Sequence, residues 1–67
     1  MQTWNQVEGH WTEMKGKVKQ QWAKLTDDDL NAIGGKREQL EGAIERRYAM
    51  ARDKVHTDID SWLNRLN

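Results

Sequence analysis

Apolar residues recur along this chain three or four positions apart and never alternate with polar ones over any length, so its elements read as helices. Trp4, Val7, Trp11, Met14, Val18, Trp22 and Leu25 are separated by 3, 4, 3, 4, 4 and 3 residues. At ~100° per residue they fall in a stripe about 80° wide, the pattern of a helix with one face against a core. Thr3 precedes the stripe as an N-cap, with Gln6 placed to complete a capping box. Gly9-His10 lies within the stripe, and a break there would divide the tract in two.

A second tract runs from about Lys36 to Leu66. Leu40, Ile44, Tyr48, Ala51, Val55, Ile59, Trp62 and Leu66 follow one another at 4, 4, 3, 4, 4, 3 and 4. This eleven-residue period of about 3.67 residues per turn favours a straight or slightly right-handed path. Thirty residues of unbroken helix would span ~45 Å, more than a domain of this size can accommodate, so the tract must overhang, bend or pair with another chain.

Between the tracts lies a short acidic connector. Thr26 is an N-cap candidate, and Asp27, Asp28 and Asp29 after it suit the positive end of a helix dipole. Capping is the favoured reading of this run, because the alternating ligands and central Gly of a calcium loop are missing. Leu30 and Ile33 give the short helix an apolar edge, and Gly34-Gly35 ends it. The expectation is an all-α fold, a small bundle of about four helices with a long C-terminal helix, formed by residues 1–67 as a single domain. Trp11, Met14, Val18, Trp22, Leu40, Ile44, Tyr48 and Val55 should pack together, with Leu30 and Ile33 closing one end.

Composition narrows the functional classes. Leu, Ile and Val make up roughly a sixth of the 67 residues and Phe is absent, but four Trp add large apolar area. With no Cys, disulfides and thiolate chemistry are excluded. No apolar run approaches the ~20 residues of a membrane-spanning helix, and MQTWNQVEGH lacks the regions of a signal peptide, so cytoplasmic residence is expected. Gly16 and Gly42 project onto polar helix faces, where each costs about 1 kcal/mol relative to Ala.

Candidate chemistry is sparse. Ser61 is the only Ser, and His10 and His56 sit in unrelated contexts, His56 five residues before Ser61 and therefore not one helix turn away. Gly34-Gly35-Lys36 lacks the framework of a phosphate loop and reads as a helix end. Lys15, Lys17, Lys19 and Lys24 bracket the Trp stripe, as in helices that lie at a membrane surface, though a core helix with solvated flanks shows the same arrangement. The core reading is favoured. Nucleic acid ranks lower, because eleven basic residues are balanced by eleven acidic ones. Arg46-Arg47 and Arg52 form a second basic cluster, opposed by Glu41, Glu45 and Asp53. No catalytic, metal-binding or cofactor-binding residue is assigned, and the chain is expected not to be an enzyme.

Several of these residues carry a family pattern. Gly9, Met14 to Lys19, Lys24 to Asp29, Gly35-Lys36, Gln39, Gly42 and Tyr48 resemble the CsbD-like family of bacterial general stress proteins, over roughly residues 4 to 48. Glu45 departs where the family often repeats Gln, and Ala49 where Gly is common. The resemblance implies a compact bundle of about four short helices, a bacterial cytoplasmic setting and an association with general stress, with no reaction attached. Three classes follow: an interaction protein of the stress response, with a protein partner or self-association; a hydrophilin-like protectant, suggested by a mean hydropathy of −1.09 and five Gly; or a peripheral membrane or nucleic-acid binder using the Trp/Lys face.

Overall fold

Gly9 and His10 do interrupt the first apolar tract. Helix α1 (Trp4–Gly9) ends where the His10 N–H reaches back to the Gln6 and Val7 carbonyls, each at 3.2 Å. Helix α2 (Trp11–Gln21) starts from the same residue, as the His10 carbonyl accepts from the Glu13 and Met14 N–H groups. The computed structural model describes residues 3–66. At the front of α1, Gln6 Oε1 accepts the Thr3 N–H at 3.0 Å, the reciprocal half of the expected box.

Trp22 closes α2 rather than extending it, and a turn through Leu25 leads to Thr26. There the capping box is complete: Thr26 Oγ1 accepts the Asp29 N–H and Asp29 Oδ2 accepts the Thr26 N–H, both at 3.1 Å. Helix α3 (Asp27–Ile33) ends at Gly34, whose φ of 58° is left-handed. Helix α4 (Arg37–Tyr48) follows, and α5 (Arg52–Arg65) completes the bundle.

The second tract therefore bends. Its two halves meet at an elbow of Ala49, Met50 and Ala51, with Ala49 left-handed at φ 53° and ψ 43°. A straight helix over the whole tract would overrun a molecule whose longest dimension is 28 Å. Folding it back lets Val55, Ile59, Trp62 and Leu63 of α5 cover Leu40, Ala43 and Ile44 of α4 in one core.

That core also holds Val7, Met14, Val18, Trp22, Leu25, Leu30 and Ile33, so both stripes and the α3 edge face inward. Two expected members sit at its margin. Trp11 and Tyr48 are only half-buried, because each carries a polar atom at its tip that must reach a partner. Trp11 Nε1 donates to the Leu30 carbonyl at 3.1 Å, and Tyr48 Oη accepts the Lys24 N–H at 3.1 Å.

The glycines divide by what surrounds them. A Cβ on Gly16 would meet nothing within 4 Å, and one on Gly42 only the end of the Arg46 side chain at 3.5 Å. Gly35 is different: its φ is +85°, and a Cβ would lie 3.3 Å from Glu8 Cγ and 3.4 Å from Trp11 Cβ. Gly16→Ala and Gly42→Ala are thus expected to stabilise the protein by several tenths to about 1 kcal/mol. Gly35→Ala should destabilise it by at least about 1–2 kcal/mol, the cost of left-handed backbone at a residue with a Cβ. Urea denaturation midpoints decide the sign of each.

Candidate functional site

Of the Trp residues, Trp22 and Trp62 are built into the interior, and Trp4 and Trp11 pack half-buried against it. Trp22 and Trp62 are buried and meet edge to face, their ring centroids 5.4 Å apart. Trp4 stands 6.5 Å from Trp62 and 6.4 Å from Trp11, so the four indoles form one continuous chain. Trp4 Nε1 donates to the Gly35 carbonyl at 2.8 Å, across the bundle from its own helix. The stripe of α1 and α2 is therefore occupied by the fold itself.

The lysines beside the stripe reach across to α3. Lys15 Nζ donates to Asn31 Oδ1 at 3.1 Å, and Lys19 Nζ pairs with Asp27 Oδ1 at 3.0 Å. With Gly16 and Leu30 these residues line a shallow open groove between α2 and α3. Lys24 lies over the Tyr48 ring, 5.0 Å from its centroid. Lys17 borders a second open groove with Gln20, Gln21, Trp62, Arg65 and Leu66.

The acidic run is divided among three tasks. Asp27 holds Lys19, Asp28 is exposed in the first turn of α3, and Asp29 both caps that helix and receives Arg47. Arg47 donates from Nε to Asp29 Oδ2 at 2.8 Å and from Nη2 to Oδ1 at 3.1 Å, a bidentate fork. Those bonds, and after them the Thr26 N–H, draw the Asp29 carboxyl down to about 2. The same pairing raises the Arg47 guanidinium. Arg47 is thus tied to α3, while its neighbour Arg46 is exposed and Arg52 pairs with Glu45 at 3.5 Å.

A fourth cluster joins α4 to α5. Arg37 and Glu41 are one turn apart on α4, and His56 and Asp60 one turn apart on α5. Arg37 Nη2 donates to Asp60 Oδ1 at 2.8 Å, and His56 Nδ1 lies 2.9 Å from Glu41 Oε2. Arg37 Nε closes the square on Glu41 at 3.5 Å, and His56 Nε2 stands 3.6 Å from Asp60 Oδ2. Glu41 is the buried charged residue of the fold, compensated from both sides. The Arg37 hydrogen bond, with the charges of Arg37 and His56, holds the Asp60 carboxyl below the usual carboxylate range. This grouping spans two helices, so only its i,i+4 halves could be read from the sequence.

The remaining candidates are dispersed. His10 is exposed between α1 and α2, and Ser61 is exposed on α5. Gly34-Gly35 forms the α3–α4 turn, both residues at positive φ, with Gly35 pressed against Glu8 of α1 and Trp11 of α2. Among the described residues, no group of three or more His, Asp or Glu is placed to hold a metal ion. None of their helices is long and apolar enough to cross a membrane. What the polar groups do chemically is join helices: α2 to α3, α3 to α4, and α4 to α5.

Comparison with known proteins places this sequence among relatives. Residues 5–57 match the model of the CsbD-like family. A UPF0337 protein of Agrobacterium fabrum is 63% identical over 62 residues, which is 92% of each chain. One of Rhodopseudomonas palustris is 54% identical over 63 residues, covering 94% of this chain and 96% of the relative. The UPF0337 protein YjbJ of Escherichia coli strain CFT073 is 53% identical over 57 residues, covering 85% of this chain and 83% of its own. No solved structure matches the chain significantly.

Two measurements follow from the polar contacts. A carboxyl with a depressed native pKa contributes stability that is present above its unfolded value, near ~3.9, and is lost as pH falls toward the native value. For Asp29 that window runs from about 4 down to about 2. In acid titrations of stability, Asp29→Asn and Arg47→Ala should each make the decline through this window shallower than in the wild type. Separately, Trp4→Phe leaves the Gly35 carbonyl without its indole donor and should cost about 1 kcal/mol beyond the lost area. Urea denaturation of Trp4→Phe against the wild type reads that loss.

Proposed function

The chain belongs to the CsbD-like family, and on that premise we propose that it is a cytoplasmic protein of the bacterial stress response that acts by non-covalent association rather than by catalysis. The observation that carries this reading is the use made of the polar side chains. Arg37, Glu41, His56 and Asp60 satisfy one another, as do Asp29 and Arg47, and Lys19 and Asp27. General acid–base work calls for such groups to be held in a dry pocket with reach to a substrate. Here they bridge helices at the surface. The exposed remainder is dense in charge of both signs, with eleven basic and eleven acidic residues in all, a surface suited to weak ionic contacts with other macromolecules.

A second reading, a hydrophilin-like protectant, is favoured by one feature. Gly16 occupies a helical position where a Cβ would meet nothing within 4 Å, so it weakens α2 with no gain in packing. Under this reading the glycines keep the helices only conditionally stable. The membrane and nucleic-acid readings lose support, since the Trp stripe faces the core and the charges balance.

The experiment is client protection and partner capture with the purified protein. Suppression of heat-induced aggregation of a client enzyme is expected to saturate with added protein and to weaken as salt rises, as screened ionic contacts do. Amide exchange separates the two readings, because a cooperative domain protects its core amides together. Saturable turnover on a hydrolase and transferase substrate panel, surviving repurification and lost in a point variant, would overturn the non-catalytic reading.

A further inference from the structure

The elbow between α4 and α5 is the one junction of this fold for which the sequence supplies no stop signal. The others have theirs: Gly9-His10 between α1 and α2, the Thr26 capping box before α3, and Gly34-Gly35 after it. Tyr48-Ala49-Met50-Ala51-Arg52 contains neither Gly nor Pro, and Ala, Met and Arg are among the best helix formers. Ala49 is nevertheless left-handed, at φ 53°, the only non-glycine residue with positive φ among those described.

The ends on either side are poorly finished. Ala51, the N-cap of α5, has no side chain able to cap, and no backbone hydrogen bond closes α4 at Ala49 as the Gly34 N–H closes α3 on Leu30. Across the elbow, Glu45 Oε2 is buried without a hydrogen-bond partner, with Arg52 Nε standing off at 3.5 Å. Meanwhile the apolar stripe keeps helical register straight through the bend, from Leu40 and Ile44 through Tyr48 and Ala51 to Val55 and Ile59.

We infer that two copies of this chain exchange α5 by straightening this elbow into one continuous helix from Arg37 to Arg65. Such a helix is ~43 Å long, whereas the folded chain measures 28 Å at its longest, so α5 cannot straighten and stay on its own bundle. It leaves with Val55, Ile59, Trp62 and Leu63, all buried in the closed form. The partner that fits these residues is the slot they have vacated, and only a second copy carries it. Trp62 then packs between Trp4 and Trp22 of the other chain, and Arg37–Asp60, Glu41–His56 and Gln21–Arg65 re-form between chains. The core contacts of α5 beyond the elbow are kept, and Ala49 in each chain returns to ordinary helical backbone. What opposes the exchange is association itself, so dimer rises with concentration. This inference is independent of the proposed function and concerns the chain alone.

The test varies the elbow in both directions. Ala49→Gly relaxes the bent form and should raise the dimer dissociation constant by roughly tenfold or more. Ala49→Val opposes left-handed backbone more strongly than Ala and should lower it. Ala51→Pro fits the bent form, where φ is −69°, but breaks a continuous helix, and should abolish the dimer. Light scattering after size exclusion, from micromolar to millimolar protein, reads all four proteins. The chain has no Cys, so spin labels at Gln39→Cys and Ser61→Cys, diluted with unlabelled chain, report the conformation. In the exchanged dimer they should lie ~33 Å apart along one helix. Should Ala49→Val not fold, refolding wild type and Ala51→Pro at high concentration decides, with dimer expected from the wild type alone. The inference fails if wild type and Ala49→Val stay monomeric throughout. It also fails if a dimer survives Ala51→Pro, or if its labels keep the monomer's spacing.

Discussion

The close approach of the Gly34-Gly35 turn to α1 and α2 is the contact from which the rest of the bundle is placed. Gly35 lies so near Glu8 and Trp11 that a Cβ would be crowded at 3.3 Å, and its carbonyl takes the Trp4 indole at 2.8 Å. Trp11 binds one turn earlier, on the Leu30 carbonyl. The Leu30 carbonyl, which also accepts the Gly34 N–H, and the Gly35 carbonyl just past the helix are thus given donors by side chains from elsewhere in the chain. Trp4, fixed in this way, presents its ring to Trp62, and Trp22 meets Trp62 from the other side. The position of Trp62, and with it α5, therefore depends on a glycine turn nearly thirty residues before it.

The buried apolar residues hold the helices together, and paired polar groups at the seams fix how the helices meet. The strongest of these seams have fork or square geometry, Arg47 on Asp29 and the Arg37–Glu41–His56–Asp60 group. Single exposed pairs such as Lys54–Asp58 contribute little, because solvent screens them and two long side chains lose freedom. Glu41 is the exception in kind. Its burial is tolerable only while Arg37 and His56 remain in place, so the α4–α5 seam is more dependent on its partners than the others.

The sequence was most legible where structure is locally encoded. The break at Gly9-His10, the Thr26 box and the glycine end of α3 each follow from residues within a few positions of the event they cause. Both apolar stripes could be read for the same reason. The elbow could not be placed, since Tyr48 to Arg52 propagates a helix by every local measure, and what bends it is the benefit of covering Leu40 and Ile44 with α5. His56 looked isolated for a related reason: its partner Glu41 is fifteen residues away, and only the antiparallel return of α5 brings them to 2.9 Å. The indole donors of Trp4 and Trp11 were invisible, because hydrogen bonds to distant carbonyls leave no spacing in the chain.

These features bear on function through the dependence of each helix on the others. Gly16 and Gly42 weaken α2 and α4 at sites where a Cβ would meet at most the end of the Arg46 side chain, and Ala49 holds the fourth junction in a conformation its own residue disfavours. None of the helices exceeds fourteen residues, a length at which isolated helices are marginal even with good propensities. The secondary structure of this chain therefore stands or falls with tertiary contact, and above all with the docking of α5. A fold of that kind is sensitive to whatever competes for, or substitutes for, its internal contacts: a dehydrated surface, a partner, or another copy of itself. If α5 exchanges between copies as inferred, the exchanged population grows with concentration by mass action, with each contact unchanged in strength.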